Sequence, residues 1–180
     1  MKALGILALS FVALNANAAQ LHVHGEVTDV GTREPFGEVL VRVYKDGVKQ
    51  QVFTTGAEGH YNVRLDNEAQ YVIRFSAPGR VTKCFAVDTH GGEWEGDNRS
   101  VDLAIEMTLF ERVEGVDLSF FDLPMGIARF SPMTGLLTWD KEYDQRVQEE
   151  VSRLMAEVAL RRSAQGEQAM NAEEDRTSHQ

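Results

Sequence analysis

Between residues 21 and 109 apolar and polar side chains alternate along the chain. Leu21, Val23 and Val27 are interleaved with His22, His24, Glu26 and Thr28. Tyr61, Val63 and Leu65 alternate with His60, Asn62 and Arg64, and Tyr71, Ile73 and Phe75 with Val72 and Arg74. The same period of two runs through Val39, Val41 and Val43, through Val52 to Thr55, through Phe85 and Val87, and from Val101 to Leu109. Such alternation predicts strands with one buried face. Turn chemistry separates the runs: Lys45-Asp46-Gly47, residues 56–59, Asp66-Asn67, Pro78-Gly79 and Gly91-Gly92. The spacing predicts about seven strands in an antiparallel Greek-key sandwich.

After Phe110 the pattern changes. Residues 111–123 carry scattered aromatics without a period, and residues 126–139 predict a hairpin about Ser131 to Gly135. Asp140 is suited to cap a helix. Beyond it Tyr143, Val147, Val151, Leu154, Met155 and Val158 recur at helical spacing, predicting an amphipathic helix to Arg162. Residues 163–180 are polar and predict a disordered acidic tail. The expected organisation is a segment 1–18 to be removed, a sandwich over 19–110, a hairpin-plus-helix appendage over 111–162, and the tail.

The removed segment is expected because Lys2, an apolar run over residues 3–14 and an Ala16-x-Ala18 step have the form of a secretory signal peptide. The run is shorter than the roughly 20 residues a membrane-spanning helix requires. No cysteine follows the cleavage step to carry a lipid. An exported protein is therefore expected, periplasmic or extracellular, without membrane insertion. Cys84 is the only cysteine, so no internal disulfide can form and the core must hold the fold alone. The formal net charge is −10, which repels phosphate backbones and argues against nucleic acid as a partner.

The strand region resembles the carboxypeptidase regulatory-like domain, a prealbumin-like sandwich. The resemblance rests on Gly25, Val27 and Asp29, then Pro35, then Val39, Val41 and Val43, with "TTGAEGHYNVRL" and "YVIRFSAPGRVTK" similar to the following strands. It spans roughly residues 21–109. It implies a non-catalytic attachment module, and no peptidase is joined to this one. Hydroxyisourate hydrolases of the transthyretin-like group share the sandwich, but the Tyr-Arg-Gly-Ser with which they end is missing here; this chain ends Arg176 to Gln180.

Candidate chemistry is sparse. "TTGAEGHY", residues 54–61, has the glycine spacing of a phosphate or nucleic-acid loop. It lacks the Gly-Lys-Ser/Thr step and the following helix, and predicts a hairpin tip in which Gly56 and Gly59 tolerate positive φ. His22 and His24 share one strand face, a spacing that suits zinc or copper, but no third ligand is identifiable and His60 and His90 cannot be placed. Glu93, Glu95 and Asp97 lack the order of a calcium loop. Between them Trp94 is a candidate recognition aromatic. No nucleophile elbow, zinc-protease helix or Cys/His pairing is present, and Cys84 reads as a buried apolar residue.

From these readings the expected protein is no enzyme, carries no cofactor, and attaches to an envelope or secreted protein partner, with self-association as a variant. Trp94, Trp139, Tyr143, Val147, Val151 and Met155 are the expected interaction residues, with the helix stripe covered either by its own chain or by the partner. The alternatives are a carbohydrate or small-ligand module using exposed loops, and a metal site at His22 and His24.

Overall fold

The computed structural model describes residues 20–92, 100–131 and 133–178. The expected signal segment and Trp94 with its acidic neighbours lie outside the described residues. Among the described helices none is long and apolar enough to cross a membrane.

The chain is mainly β, with two mixed sheets and one C-terminal helix. In the smaller sheet β1 (Gln20–Asp29) lies between β4 (His60–Asp66), antiparallel, and β7 (Ser100–Ala104), parallel. Its far end also pairs in parallel with β8 (Met107–Leu109). The larger sheet has the order β10 (Leu137–Trp139), β9 (Pro124–Phe130), β6 (Lys83–Asp88), β5 (Gln70–Ser76), β2 (Leu40–Lys45), β3 (Val48–Thr54). The β6–β9 pair is parallel as well. Among the described residues, ten strands with three parallel pairings replace the seven-stranded antiparallel Greek key that the alternation predicts. Alternation identifies a strand's buried face but carries no information about its neighbour's direction.

The alternating apolar residues meet where they are expected. Leu21, Val23, Tyr61, Val63 and Leu65 of the smaller sheet and Val41, Val43, Ile73, Phe75, Phe85 and Val87 of the larger one bury a common cluster. Residues 54–61 do not form a hairpin. They carry the chain from β3 in one sheet to β4 in the other. Gly59 has the expected positive φ of 69°. The Cβ of any other residue there would stand 2.5 Å from the Val27 carbonyl oxygen. Gly56 does not have a positive φ.

The expected hairpin forms as β9 and β10, but it is part of the larger sheet because β9 pairs with β6. Asp140 caps the following helix, accepting the Tyr143 N–H at 3.1 Å. The helix α1 runs Lys141–Ser178, through the stretch expected to be disordered. Val147, Leu154 and Val158 are buried, and Val151 and Met155 pack beside Leu118, Phe121, Val113, Phe110 and Val81 in a second cluster. Tyr143 donates its hydroxyl to the Pro124 carbonyl at 2.8 Å. Arg161 and Arg162 donate to the Glu114 and Glu111 carbonyls. The stripe is thus covered by its own chain.

One cation is enclosed by this packing. Lys83 points from β6 towards the second cluster, with 8% of its surface exposed. Its Nζ lies 5.2 Å and 5.3 Å from the ring centres of Phe110 and Phe121, and 3.4 Å from Thr108 Oγ1. Among the described residues no carboxylate pairs with it. Burial alone lowers its pKa to about 8. A lysine so shifted binds its proton more weakly when folded than when unfolded, so between about pH 8 and its ordinary pKa of 10.5 stability rises with pH. Below pH 8 the full penalty is present, on the order of 3 kcal/mol at most. Lys83→Met should therefore raise the melting temperature at pH 7, and the gain over wild type should shrink steadily between pH 8 and 10. Equal or lower stability of the variant at pH 7 would show that the ammonium is satisfied.

Candidate metal centre

The first strand builds the site. With a period of two, His22 and His24 leave Leu21 and Val23 to the core and stand together on the outer face of the smaller sheet. Their ring centres are 5.0 Å apart, with ring planes at 32°. On the β4 side His22 faces Arg64 and His24 faces Asn62, neither of which is a common metal ligand. On the other side the parallel register sets Asp102 of β7 directly against His22. Asp102 Oδ1 lies 2.6 Å from His22 Nδ1, and its side chain is 64% exposed against 30% for the histidine.

One donor atom from each of His22, His24 and Asp102 lies within 4.8 Å of the others. Tetrahedral ligands at zinc distances stand about 3.3 Å apart, so closing on an ion needs only about an ångström of side-chain rotation. The exposed Asp102 is free to make that movement. Two imidazoles and a carboxylate suit zinc or copper, and three protein ligands leave a further coordination position open. The histidines line a shallow cavity of about 820 Å³, into which Glu26, His60 and Tyr61 also face. Glu26 and His60 are direct cross-strand neighbours. The Tyr61 hydroxyl donates to the Ile105 carbonyl at 2.8 Å, and burial pushes its pKa up, so it stays protonated there.

Asp102 is the ligand that sequence reading missed. It is separated from His22 by 80 residues, and only the parallel β1–β7 pairing joins them. His60, unplaced by sequence, belongs to the cavity. His90 does not line it: its Nδ1 is 2.6 Å from Asp88 Oδ1 at the end of β6, which raises its pKa. Cys84 is fully buried, and burial raises its thiol pKa. Of the expected interaction residues, Val147, Val151 and Met155 are packed internally, Tyr143 is bonded to Pro124, and Trp139 packs against the main cluster.

No family model matches the sequence, and no curated protein matches it. The fold is similar to part of several solved dioxygenases. One is 3-chlorocatechol 1,2-dioxygenase from Rhodococcus opacus, at 13% identity and a TM-score of 0.40, covering 53% of this chain and 61% of that one. Another is catechol 1,2-dioxygenase from an Acinetobacter species, at 16% and 0.39, covering 58% and 57%. A third is the dioxygenase domain of a dioxygenase–carbohydrate-binding fusion from a Streptomyces species, at 14% and 0.38, covering 54% and 84%. This chain thus spans about three fifths of the first two. These three structures are dioxygenases rather than carboxypeptidase regulatory-like domains. That corrects the resemblance read from the sequence. The expectation of a non-catalytic attachment module that is no enzyme goes with it.

Proposed function

We propose that the outer face of the smaller sheet binds a divalent transition-metal ion through His22, His24 and Asp102, and that the protein's function depends on that metal. The convergence of three donors from two strands on one point carries this reading. An ion held there would border the cavity that the two histidines line. Bound zinc makes water acidic or polarises an oxygen of a small molecule. Glu26 and His60 are the protein's own groups placed to take or return a proton beside it.

The test is calorimetric titration of chelator-treated protein with Zn²⁺ and Cu²⁺. The expected result is one ion per chain for at least one metal. His24→Ala should weaken binding by more than about a hundredfold, beyond the ten- to hundredfold that loss of a supporting residue costs. Asp102→Asn should weaken it less, because an amide oxygen remains. Both variants should keep the melting temperature of the metal-free protein, since their side chains lie outside the core. Absence of saturable binding, or wild-type affinity in His24→Ala, would end this reading.

A further inference from the structure

A second cavity lies apart from the histidine face. It runs between β8 and α1 over the β6–β9 part of the larger sheet, with a volume of about 380 Å³. Phe85, Met107, Met125, Trp139, Val147 and Val151 form the apolar part of its wall, and Thr108, Asp144 and Gln148 lie between them. In the absence of a packing reason, three features set it apart from an ordinary gap. Lys83, nine-tenths buried, lines it. The ammonium has three donors, yet among the described residues its one hydrogen-bond partner is Thr108 Oγ1 at 3.4 Å, and it also stands over two aromatic faces. Trp139 stands so close over Gly126 that a Cβ there would lie 2.9 Å from the ring, so the wall is fixed where a flat ligand would rest.

The charges around the cavity do not satisfy Lys83. Glu106 also lines it, but its two oxygens are occupied by Thr28 Oγ1 at 2.6 Å and Arg33 at 2.9 Å. Asp144 lies on α1 at the other wall, and burial followed by the charge of Asp140 raises its pKa. An unpaired buried ammonium is unfavourable until an acceptor reaches it, and an acceptor bearing negative charge serves best.

We propose that this cavity binds a small apolar carboxylate, its carboxyl group on Lys83 and its hydrocarbon body between Trp139 and the Met107, Met125 and Val151 side chains. The proposal is independent of the metal site. An aromatic or short aliphatic acid has the size and polarity the walls select, and its charge complements that of Lys83.

Benzoate is the probe, with benzamide as its uncharged counterpart of the same shape. The chain has two tryptophans, so a Trp94→Phe background leaves Trp139 as the single reporter of the cavity. Benzoate should quench Trp139 fluorescence saturably and bind about ten- to a hundredfold more tightly than benzamide, the range of a charge-assisted hydrogen bond. In Lys83→Met that preference should vanish while benzamide binding stays as it was. Equal affinity for the two probes in the wild-type chain would overturn the proposal, whether or not the variant folds. Unchanged benzoate affinity in a folded Lys83→Met chain would also overturn it.

Discussion

Gly25→Ala should destabilise the folded protein markedly. Gly25 lies where β1 passes from pairing with β7 to pairing with β8, and the intervening Ile105 turns its backbone onto β1. Ile105 donates its N–H to the His24 carbonyl at 2.9 Å and accepts the Tyr61 hydroxyl. A Cβ at position 25 would stand 1.9 Å from the Ile105 oxygen and 2.8 Å from its carbonyl carbon. Both are backbone atoms, so no rotamer change relieves the overlap. The strands must separate, losing ladder bonds in the centre of the smaller sheet and opening the cluster beneath Leu21 and Val23. Overpacking costs about 1–3 kcal/mol in a yielding core, and this site cannot yield, so a loss of at least about 3 kcal/mol is expected. For a chain of this size that lowers the melting temperature by about 6–12 °C. Gly56→Ala is the control: nothing lies within 4 Å of its added Cβ, and its melting temperature should match wild type. A Gly25→Ala melting temperature within a degree or two of wild type would show that the approach of Ile105 is not needed. Any folded residue of the variant should also bind metal poorly, because separating β1 from β7 takes Asp102 away from the histidines.

The same crossing marks the limit of what the sequence discloses. The buried faces of the strands were legible, because side-chain direction alternates whatever the partner: Tyr61, Val63 and Leu65 are buried as their pattern requires. The cap at Asp140 and the shared face of His22 and His24 were legible for the same reason, since each depends on residues a few positions apart. What pairs with what was not. Parallel pairings join β1 to β7 and β6 to β9 across long stretches of chain, and no local pattern distinguishes them from antiparallel ones. The third metal ligand was lost with the first of these pairings, and the place of the hairpin in the larger sheet with the second. The glycines at 56 and 59 suggested a hairpin because turns between sheets and turns within one use the same residues. Lys83 gave no signal, as a lysine beginning a strand ordinarily faces water. The helix beyond Arg162 has no apolar stripe, so it was invisible to a method that reads stripes, although Ala, Glu, Gln and Arg favour helix by backbone propensity.

Phe121→Ala is the second large effect expected, and it tests whether the C-terminal third is built into the fold. Phe121 is fully buried within the short 3-10 turn Ser119–Asp122. It meets the Phe110 ring edge-on at 5.1 Å and 73°, and it shares a cluster with Leu154 and Val158 of α1. It therefore joins the end of the strand region to the helix. Truncation of a buried Phe costs about 3–5 kcal/mol, with the aromatic pair adding to the loss. Melting should fall by about 6–20 °C. If the melting temperature hardly moves, α1 is an attachment and the strand region stands without it. The neighbouring Lys83 gives this variant a second signature. Removing one of its two rings opens a space that water can enter beside the ammonium, restoring part of its hydration. Lys83→Met should therefore stabilise the Phe121→Ala chain less than it stabilises wild type, a non-additive pair of the kind contacting residues show. Metal affinity at His22 and His24 should be unchanged in the folded fraction, because the metal ligands belong to the smaller sheet and make no contact with this cluster. Strict additivity would instead mean that the lysine is no more hydrated after the ring is gone, and that its burial, rather than the aromatic faces, governs its energy.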